Sequence, residues 1–203
     1  MSEQPTMPST PGWPDQPAAG VSLHFSSLPA AHGIGDIGDA ACRFADQLAE
    51  TGLSIWQVLP TGPTGFGDSP YQSLSAFAGN EMLIGLEPLL RDGLLNQAEL
   101  TPLEELPDHT VDFERLVPRK RAVLKRAAER FLARSADSRF DTFLARNNSL
   151  WLHQYALYRV IKSLHAERAW TDWDRDCARR VPDALARIAS QHGYAIERIK
   201  ALQ

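Results

Sequence analysis

The stretch Val21-Ser-Leu-His-Phe-Ser-Ser-Leu28 alternates apolar and polar side chains, which predicts a short β-strand. The spacing then becomes helical over residues 40–51, with Asp39 placed to cap the helix and Gly52 to stop it. Ser54-Ile-Trp-Gln-Val-Leu59 predicts a second strand. A strand, a helix and a strand within about 40 residues predict a parallel, right-handed βαβ unit.

The connection after the second strand, residues 60–80, is long and rich in glycine and proline. Connections of this length in a compact domain are usually functional or disordered, and the aromatic residues in this one favour order. We predict these further elements: a strand over 82–86, a helix over 87–92, and helices over 119–136, 148–165 and 182–203, the last interrupted near Gly193.

Composition limits the class of protein. Of the 203 residues, 43% are hydrophobic, which is enough for a folded core and excludes collagen and acidic disordered tails. No apolar run reaches the ~18 residues of a membrane-spanning helix, and the first residues do not resemble a secretory signal. Cys42 and Cys177 lack a CxxC spacing, so we expect both to be reduced and buried in a cytoplasmic protein.

Charge divides the chain into two parts. Residues 1–110 contain 2 basic and 14 acidic residues, and residues 111–203 contain 19 basic and 11 acidic residues. Nucleic-acid binding by the basic stretch 119–134 is one interpretation. Its cations surround an apolar face instead of forming a continuous stripe, so we favour a solvated amphipathic helix and predict no nucleic-acid partner.

The first twenty residues carry a proline at every third position from Pro5 to Pro17, a spacing typical of a polyproline II helix. A docking peptide is one interpretation, and we favour a disordered leader. The sequence therefore divides into a leader (1–20), an α/β part (21–95) and a helical part (96–203).

The segment Gly33-Ile-Gly-Asp-Ile-Gly38 matches the G-x-G-x-x-G pattern of dinucleotide-binding loops. It does not follow the first strand directly, and no carboxylate ends the second strand, so we do not favour a dinucleotide. We expect the glycines to form a tight turn that aims Asp36. His24 with the serines after it lacks the G-x-S-x-G elbow of a hydrolase, and His24, His32 and Asp36 lack a metal-ligand spacing. No metal and no cofactor are predicted.

The most specific local motif is Asp68-Ser-Pro-Tyr71. Prolines fix its backbone, and the neighbouring glycines allow a ligand to approach closely. The ring of Tyr71 offers a flat apolar face with a hydroxyl at its edge, which matches the apolar face and hydroxyl rim of a sugar. The alternative is an aromatic side chain that only staples the loop.

Several blocks of the sequence, in their order and spacing, resemble the amylomaltase (4-alpha-glucanotransferase, disproportionating enzyme) family. These blocks are Leu23-His-Phe-Ser-Ser-Leu-Pro29, His32-Gly-Ile-Gly-Asp36, Trp56-Gln-Val-Leu-Pro60, Gly62-Pro-Thr-Gly-Phe-Gly-Asp-Ser-Pro-Tyr-Gln72 and Ser75-Ala-Phe-Ala-Gly-Asn80. The resemblance continues more loosely through Val111-Asp-Phe113, Trp151-Leu152 and Tyr155-Ala-Leu-Tyr158.

This resemblance implies an α/β fold, an incomplete (β/α)8 TIM-type barrel of which the chain holds the first strands, with an attached, mainly helical subdomain. The active site of such a barrel lies at the carboxyl ends of its strands. By resemblance, Tyr71 lines a donor-sugar subsite, Asp68 and Ser69 shape it, and Phe66 makes an outer glucan contact. Asp36 is expected at the same rim.

The resemblance also implies transfer of α-1,4-glucan segments between maltodextrins by a retaining mechanism, without metal or organic cofactor. Such a mechanism needs a carboxylate nucleophile and a carboxylic acid about 5–5.5 Å apart, and in family members both lie beyond the matching stretch. We therefore expect the N-terminal portion of a longer enzyme, with no catalytic residue of its own, inactive alone, and able to self-associate through uncovered strand edges. The alternative is a non-catalytic glucan-binding or interaction fragment.

Overall fold

Helices dominate the part of the chain that the structure describes. The computed structural model describes residues 17–134 and 137–203, and of Phe66 the backbone alone. Its strands are β1 (Gly20–Ser22) and β2 (Ile55–Gln57). Its α-helices are α1 (Asp39–Glu50), α2 (Leu86–Arg91), α3 (Thr101–Glu104), α4 (Phe113–Leu132), α5 (Ser138–Asn147), α6 (His153–Leu164), α7 (Arg175–Ala178), α8 (Pro182–Gln191) and α9 (Gly193–Leu202).

β1 and β2 form a parallel two-stranded sheet, and α1 connects them. The predicted βαβ order is therefore confirmed. Gly52, with φ +77°, follows the end of α1 as predicted, because glycine adopts this conformation without steric cost. Asp39 does not cap α1, because Gly38 occupies that position; its carboxylate instead lies 2.6 Å from the guanidinium of Arg91.

The prediction of a strand over 21–28 is wrong beyond β1, because Phe25–Ser27 form a 3₁₀ turn. The indole N–H of Trp56 donates to the backbone carbonyl of Leu23 at 2.7 Å. The backbone N–H of Gly35 donates into the same turn at 3.2 Å. These bonds take up carbonyl groups that a longer strand would use for its ladder.

The predicted third strand over 82–86 is also wrong. Glu81–Leu83 form a 3₁₀ turn, and the side chain of Asn80 caps it by accepting a hydrogen bond from the N–H of Met82 at 2.9 Å. A short buried apolar run fits a turn as well as a strand, so periodicity alone could not separate the two. The helix that follows, α2, agrees with the predicted helix over 87–92 to within one residue at each end.

The first long helix begins earlier than predicted. The prediction placed it over residues 119–136, but α4 starts at Phe113 and contains Pro118 in its second turn. A proline there removes the N–H that would bond to the carbonyl of Glu114. Glu114 is exposed, so water can bond to that carbonyl instead.

α5 was not predicted. Asp137 caps it by accepting hydrogen bonds from the N–H groups of Arg139 and Phe140 at 2.8 and 3.3 Å. A single π-helical turn, Asn148–Leu152, joins α5 to α6. The predicted interruption near Gly193 is confirmed, since α8 and α9 are separate helices.

Two apolar cores hold these elements. The first is rich in leucine and combines Ile34 and Met82 with side chains from α2, α3 and α4. The second lies between α6, α7, α8 and α9. α9 contacts both α4 and α6 and so connects the two cores.

The opposite charges of the two parts of the chain pair with each other along α4. The ion pairs are Arg119–Glu105, Arg121–Glu81, Arg126–Glu99 and Arg130–Glu99. The last is bidentate, at 2.6 and 2.9 Å, the geometry in which an arginine binds a carboxylate most strongly. Much of the basic face of α4 therefore binds acidic residues of the same chain instead of being only solvated as predicted.

The remaining predictions concern the leader, the cysteines and membranes. Residues 1–16 of the predicted leader lie outside the described residues, and its last residue, Gly20, begins β1. Both cysteines are free, as predicted, but Cys42 is exposed and only Cys177 is buried. None of the described helices is both long enough and apolar enough to cross a membrane.

Candidate functional site

The connection after β2 is folded by its own hydrogen bonds. Thr64 and Ser73 form an antiparallel bridge. The N–H of Gly65 donates to the carbonyl of Gln72 at 2.8 Å, and the N–H of Leu74 donates to a carbonyl across the same hairpin at 2.8 Å. Because β1 and β2 are parallel, their carboxyl ends lie at the same end of the sheet. This hairpin and the turn after β1 both leave the sheet at that end.

Asp68 stands at the tip of this hairpin in a strained conformation. It ends the turn Phe66–Asp68 and has φ +52°, directly after Gly67 with φ +67°. Residues other than glycine rarely adopt left-handed backbone angles, and those that do cluster at functional sites. The Asp68 side chain is half-buried and lines a cavity of about 410 Å³.

Tyr71 lies in the same sequence motif as Asp68, but its side chain does not line the cavity. Its side chain is 74% exposed. An aromatic residue that stapled the loop would be buried, and Tyr71 is not. Ser69 is half-buried, and its carbonyl accepts a hydrogen bond from the N–H of Gln72 at 3.0 Å, which fixes the turn that carries Tyr71.

The opposite wall of the cavity comes from the helical part of the chain, and the sequence prediction missed it. Its polar lining residues are Arg121, Tyr155, Arg159, Lys162 and Glu167. Burial raises the pKa of Tyr155 to about 12, so its hydroxyl keeps its proton. The available signal was the block Tyr155-Ala-Leu-Tyr158, which was interpreted as part of the helix over 148–165 and of the resemblance, and not as part of a site.

Ion pairs neutralise most of the charge in this wall. The guanidinium of Arg121 lies 2.6 Å from the carboxylate of Glu81, and that of Arg159 lies 3.1 Å from that of Glu167. Lys162 donates to the backbone carbonyl of Glu167 at 2.8 Å. The cavity is therefore polar, and two of its charged lining residues, Lys162 and Asp68, of opposite sign, lie outside these ion pairs. A polar cavity of this kind suits a ligand with many hydroxyl groups.

Asp36 is not a rim residue, and this expectation is wrong. Its side chain is 2% exposed and does not line the cavity. Burial raises the pKa of Asp36, while the positive charge of Lys120 and a hydrogen bond from the N–H of Gly38 act in the opposite direction. The glycine turn does orient this carboxylate, but it orients it toward the interior.

Lys120, on α4, is a second buried charged residue. Its side chain is fully buried, and Nζ donates to the backbone carbonyl of Met82 at 2.8 Å. Burial lowers the pKa of Lys120 to about 8. Met82 also lines the cavity, so Lys120 fixes part of the cavity wall from behind.

The helical part fastens the end of the hairpin connection at two places. The side-chain amide of Gln203 accepts from the N–H of Gly79 at 2.8 Å and donates to the carbonyl of the same residue at 3.2 Å. The ring of Phe77 stacks on that of Trp151 with centroids 6.3 Å apart. The loop that carries Asp68 and Tyr71 is thus held at its carboxyl end by the second half of the chain.

The sequence profile of one protein family, described as 4-alpha-glucanotransferase, matches residues 23–203. The chain belongs to this family. The predicted resemblance is therefore confirmed. The chain is 41% identical to a 4-alpha-glucanotransferase of Synechocystis over 174 residues, which cover 84% of this chain and 34% of that protein. It is 39% identical to one of Thermus thermophilus over 177 residues, with 85% and 34% covered.

A solved structure of this family is similar as well. It is described as amylomaltase from Streptococcus agalactiae in complex with acarbose, and it matches with a TM-score of 0.86 and 34% identity. The match covers 93% of this chain and 38% of that amylomaltase. The fold is thus α/β, with mostly helices and a small parallel sheet, similar to part of an amylomaltase. The chain spans about a third of the length of these curated relatives, given the 34% covered.

Proposed function

We propose that this chain forms the N-terminal part of a 4-alpha-glucanotransferase and supplies one side of its α-1,4-glucan-binding site. The observation that carries the proposal is the hairpin connection after β2. It presents an exposed Tyr71 next to a strained Asp68 that lines a polar cavity. Asp68 and Tyr155 line this cavity and offer it a carboxylate and a hydroxyl group, which can bind sugar hydroxyl groups.

We also propose that β1 and β2 are the first strands of a (β/α)8 barrel, with residues 21–95 in the barrel and residues 96–203 in a helical subdomain. The parallel pairing and the α1 crossover support this, because barrels of this type repeat that unit. β1 and β2 each have one edge unpaired within the described residues. Where the remaining strands are absent, we expect these edges to promote self-association.

The proposed reaction transfers an α-1,4-glucan segment between maltodextrins with retention of configuration. It requires a nucleophilic carboxylate and an acid about 5–5.5 Å apart. Of the described carboxylates that line the cavity, Glu81 and Glu167 are each paired with an arginine, which leaves Asp68. One carboxylate cannot fill both roles, so we propose that the catalytic pair comes from the rest of the enzyme.

In the proposed mechanism, this chain binds and orients the glucan. Tyr71 covers one face of a sugar ring and excludes water from it, and Asp68 accepts hydrogen bonds from sugar hydroxyl groups. Excluding water allows an acceptor sugar, rather than water, to attack the covalent glycosyl-enzyme. With two free cysteines, we propose the cytoplasm as its location.

Binding of a glucan analogue tests the proposal. The related amylomaltase was solved with acarbose, so we propose titrating the chain with acarbose and with maltotriose by isothermal calorimetry. We expect saturable binding, weakened about two- to tenfold by Tyr71→Ala, since an aromatic stacking contact contributes about 0.5–1.5 kcal/mol. The control is Tyr194→Ala, because Tyr194 is also exposed, at 60%, but lies on α9.

Equal affinities for the Tyr71→Ala and Tyr194→Ala variants, or no saturable binding by the parent chain, would contradict the proposed glucan site. Product analysis after incubation with maltotriose separates the two functional classes. We expect binding without products. Release of glucose together with longer oligomers would refute the expectation that the chain is inactive alone.

A further inference from the structure

The chain reversal between α6 and α7 brings together three side chains that commonly bind metal ions. His165 follows α6, Asp174 caps α7, and Cys177 lies within α7. One nitrogen, one oxygen and one sulfur atom from these residues all lie within 4.8 Å of one another. Of the three, only Cys177 belongs to the second core, and none of them lines the cavity of the proposed glucan site.

One ring nitrogen of His165, Nε2, faces a carboxylate oxygen instead of a good hydrogen-bond donor. Nδ1 lies 2.8 Å from the backbone carbonyl of Ile161, which can only accept, so Nδ1 carries a hydrogen. Nε2 lies 2.9 Å from Oδ2 of Asp174. In a neutral imidazole both of these atoms present lone pairs, and the nearby N–H of Asp174, at 3.3 Å, is a weak donor to Nε2. A second proton or a cation between Nε2 and Oδ2 would remove the conflict.

We propose that Nε2 of His165, Oδ2 of Asp174 and Sγ of Cys177 bind one divalent cation of the zinc class. A nitrogen, an oxygen and a sulfur ligand with one position open to water form a set that Zn²⁺ accepts in tetrahedral geometry. Bonds of about 2.0–2.3 Å place such ligands roughly 3.3–3.8 Å apart, so small rotations of these side chains suffice.

The surroundings of the cluster favour a metal over a proton alone. The Ile161 carbonyl orients the imidazole, as an outer partner does for most metal-binding histidines. Oδ1 of Asp174 accepts from the N–H of Cys177 at 3.0 Å, which holds the carboxylate so that Oδ2 faces Nε2 of His165. The ring of Trp173 stacks on His165 with centroids 5.3 Å apart and shields that side.

The site would fasten a strained reversal that borders the glucan cavity. Ala166 and Glu167 have φ of +54° and +59°, angles that side chains other than glycine rarely adopt. Glu167 holds Arg159 in the cavity wall. A cation bound to His165 and Asp174 would therefore stabilise the segment that positions this ion pair.

Metal titration of the chelator-treated chain tests the site. We expect one Zn²⁺ per chain by isothermal calorimetry, and with Co²⁺ a thiolate charge-transfer band in the near ultraviolet. Cys177→Ser should weaken Zn²⁺ binding at least about 100-fold, because even outer partners of a metal ligand change affinity by 10–100-fold. The matched control is Cys42→Ser, which removes the exposed cysteine and should leave binding unchanged.

Asp174→Asn provides a second variant, because asparagine retains the helix cap but is a weaker ligand. We expect it to fold like the parent by circular dichroism and to bind Zn²⁺ at least about tenfold more weakly. The proposal is overturned if the parent chain binds no Zn²⁺ at a one-to-one ratio. It is also overturned if Cys177→Ser and Asp174→Asn bind like the parent, or if Cys42→Ser loses the Co²⁺ band.

Discussion

Replacement of Lys120 by methionine should change how the stability of the protein depends on pH. Burial lowers the pKa of Lys120 from 10.5 to about 8. Between these values the unfolded chain binds more protons than the folded one, so the free energy of unfolding rises with pH. At about 1.36 kcal/mol per pH unit, the full effect is about 3 kcal/mol, of which roughly 2.5 kcal/mol falls between pH 7 and pH 10.

Stability at one pH would not test this reasoning, because two effects oppose each other at pH 7. Lys120→Met relieves the cost of burying an ammonium group, but it leaves the carbonyl of Met82 without its donor, a loss of about 1–3 kcal/mol. The slope with pH isolates the charge. Tyr155 and Cys177, whose pKa values burial raises to about 12 and about 11, affect parent and variant alike and cancel in the difference.

The assay is urea unfolding, followed by tryptophan fluorescence, at several values from pH 7 to pH 10. We expect the parent to gain roughly 2.5 kcal/mol relative to Lys120→Met across this range. Lys125→Met, an exposed position on the same helix, should follow the parent. Parallel pH profiles for the parent and Lys120→Met would refute the assignment of a buried, charge-bearing lysine.

Three further predictions concern the elements around the site. Gly35→Ala should lower the free energy of unfolding in urea by about 1–3 kcal/mol, since the added Cβ would overlap the carbonyl of Phe25. Gly79→Ala, whose Cβ would have nothing within 4 Å, should leave that free energy unchanged. Similar losses for both variants would contradict this prediction. Asn80→Ala should cost about 1 kcal/mol through the lost cap, whereas Asn80→Asp, which keeps the acceptor, should cost less. Trp56→Phe should cost about 1 kcal/mol through the lost indole hydrogen bond, and an unchanged thermal midpoint would argue against that bond.

Local sequence patterns predicted the elements of the first half of the chain whose conformation depends mainly on neighbouring residues. The β1–α1–β2 unit was predictable because alternation, helical spacing and Gly52 each indicate the same arrangement. The strand over 82–86 was wrong because the buried run around Met82 satisfies its backbone through the Asn80 cap. α4 was predicted too short because Pro118 is tolerated only where water reaches the Glu114 carbonyl, and a single sequence does not show exposure.

The candidate site was predictable where it is contiguous in sequence. Asp68 and Tyr71 lie in one motif, and glycine and proline around them indicate its turn. Asp36 was assigned wrongly because its burial depends on packing against residues far away along the chain. Lys120, whose positive charge acts to lower the pKa of Asp36, is one that only the fold brings near. The wall that contains Tyr155 was missed for the same reason, since its residues face the loop across an interface between the two halves.

The pairing of an acidic first part with a basic second part has a consequence for synthesis. Residues 1–110, with 14 acidic and 2 basic residues, are synthesised before any residue of α4. Mutual repulsion of these carboxylates opposes premature collapse and keeps the nascent segment dispersed. The arginines of α4 then arrive as internal counterions, so translation itself determines when the first core can close.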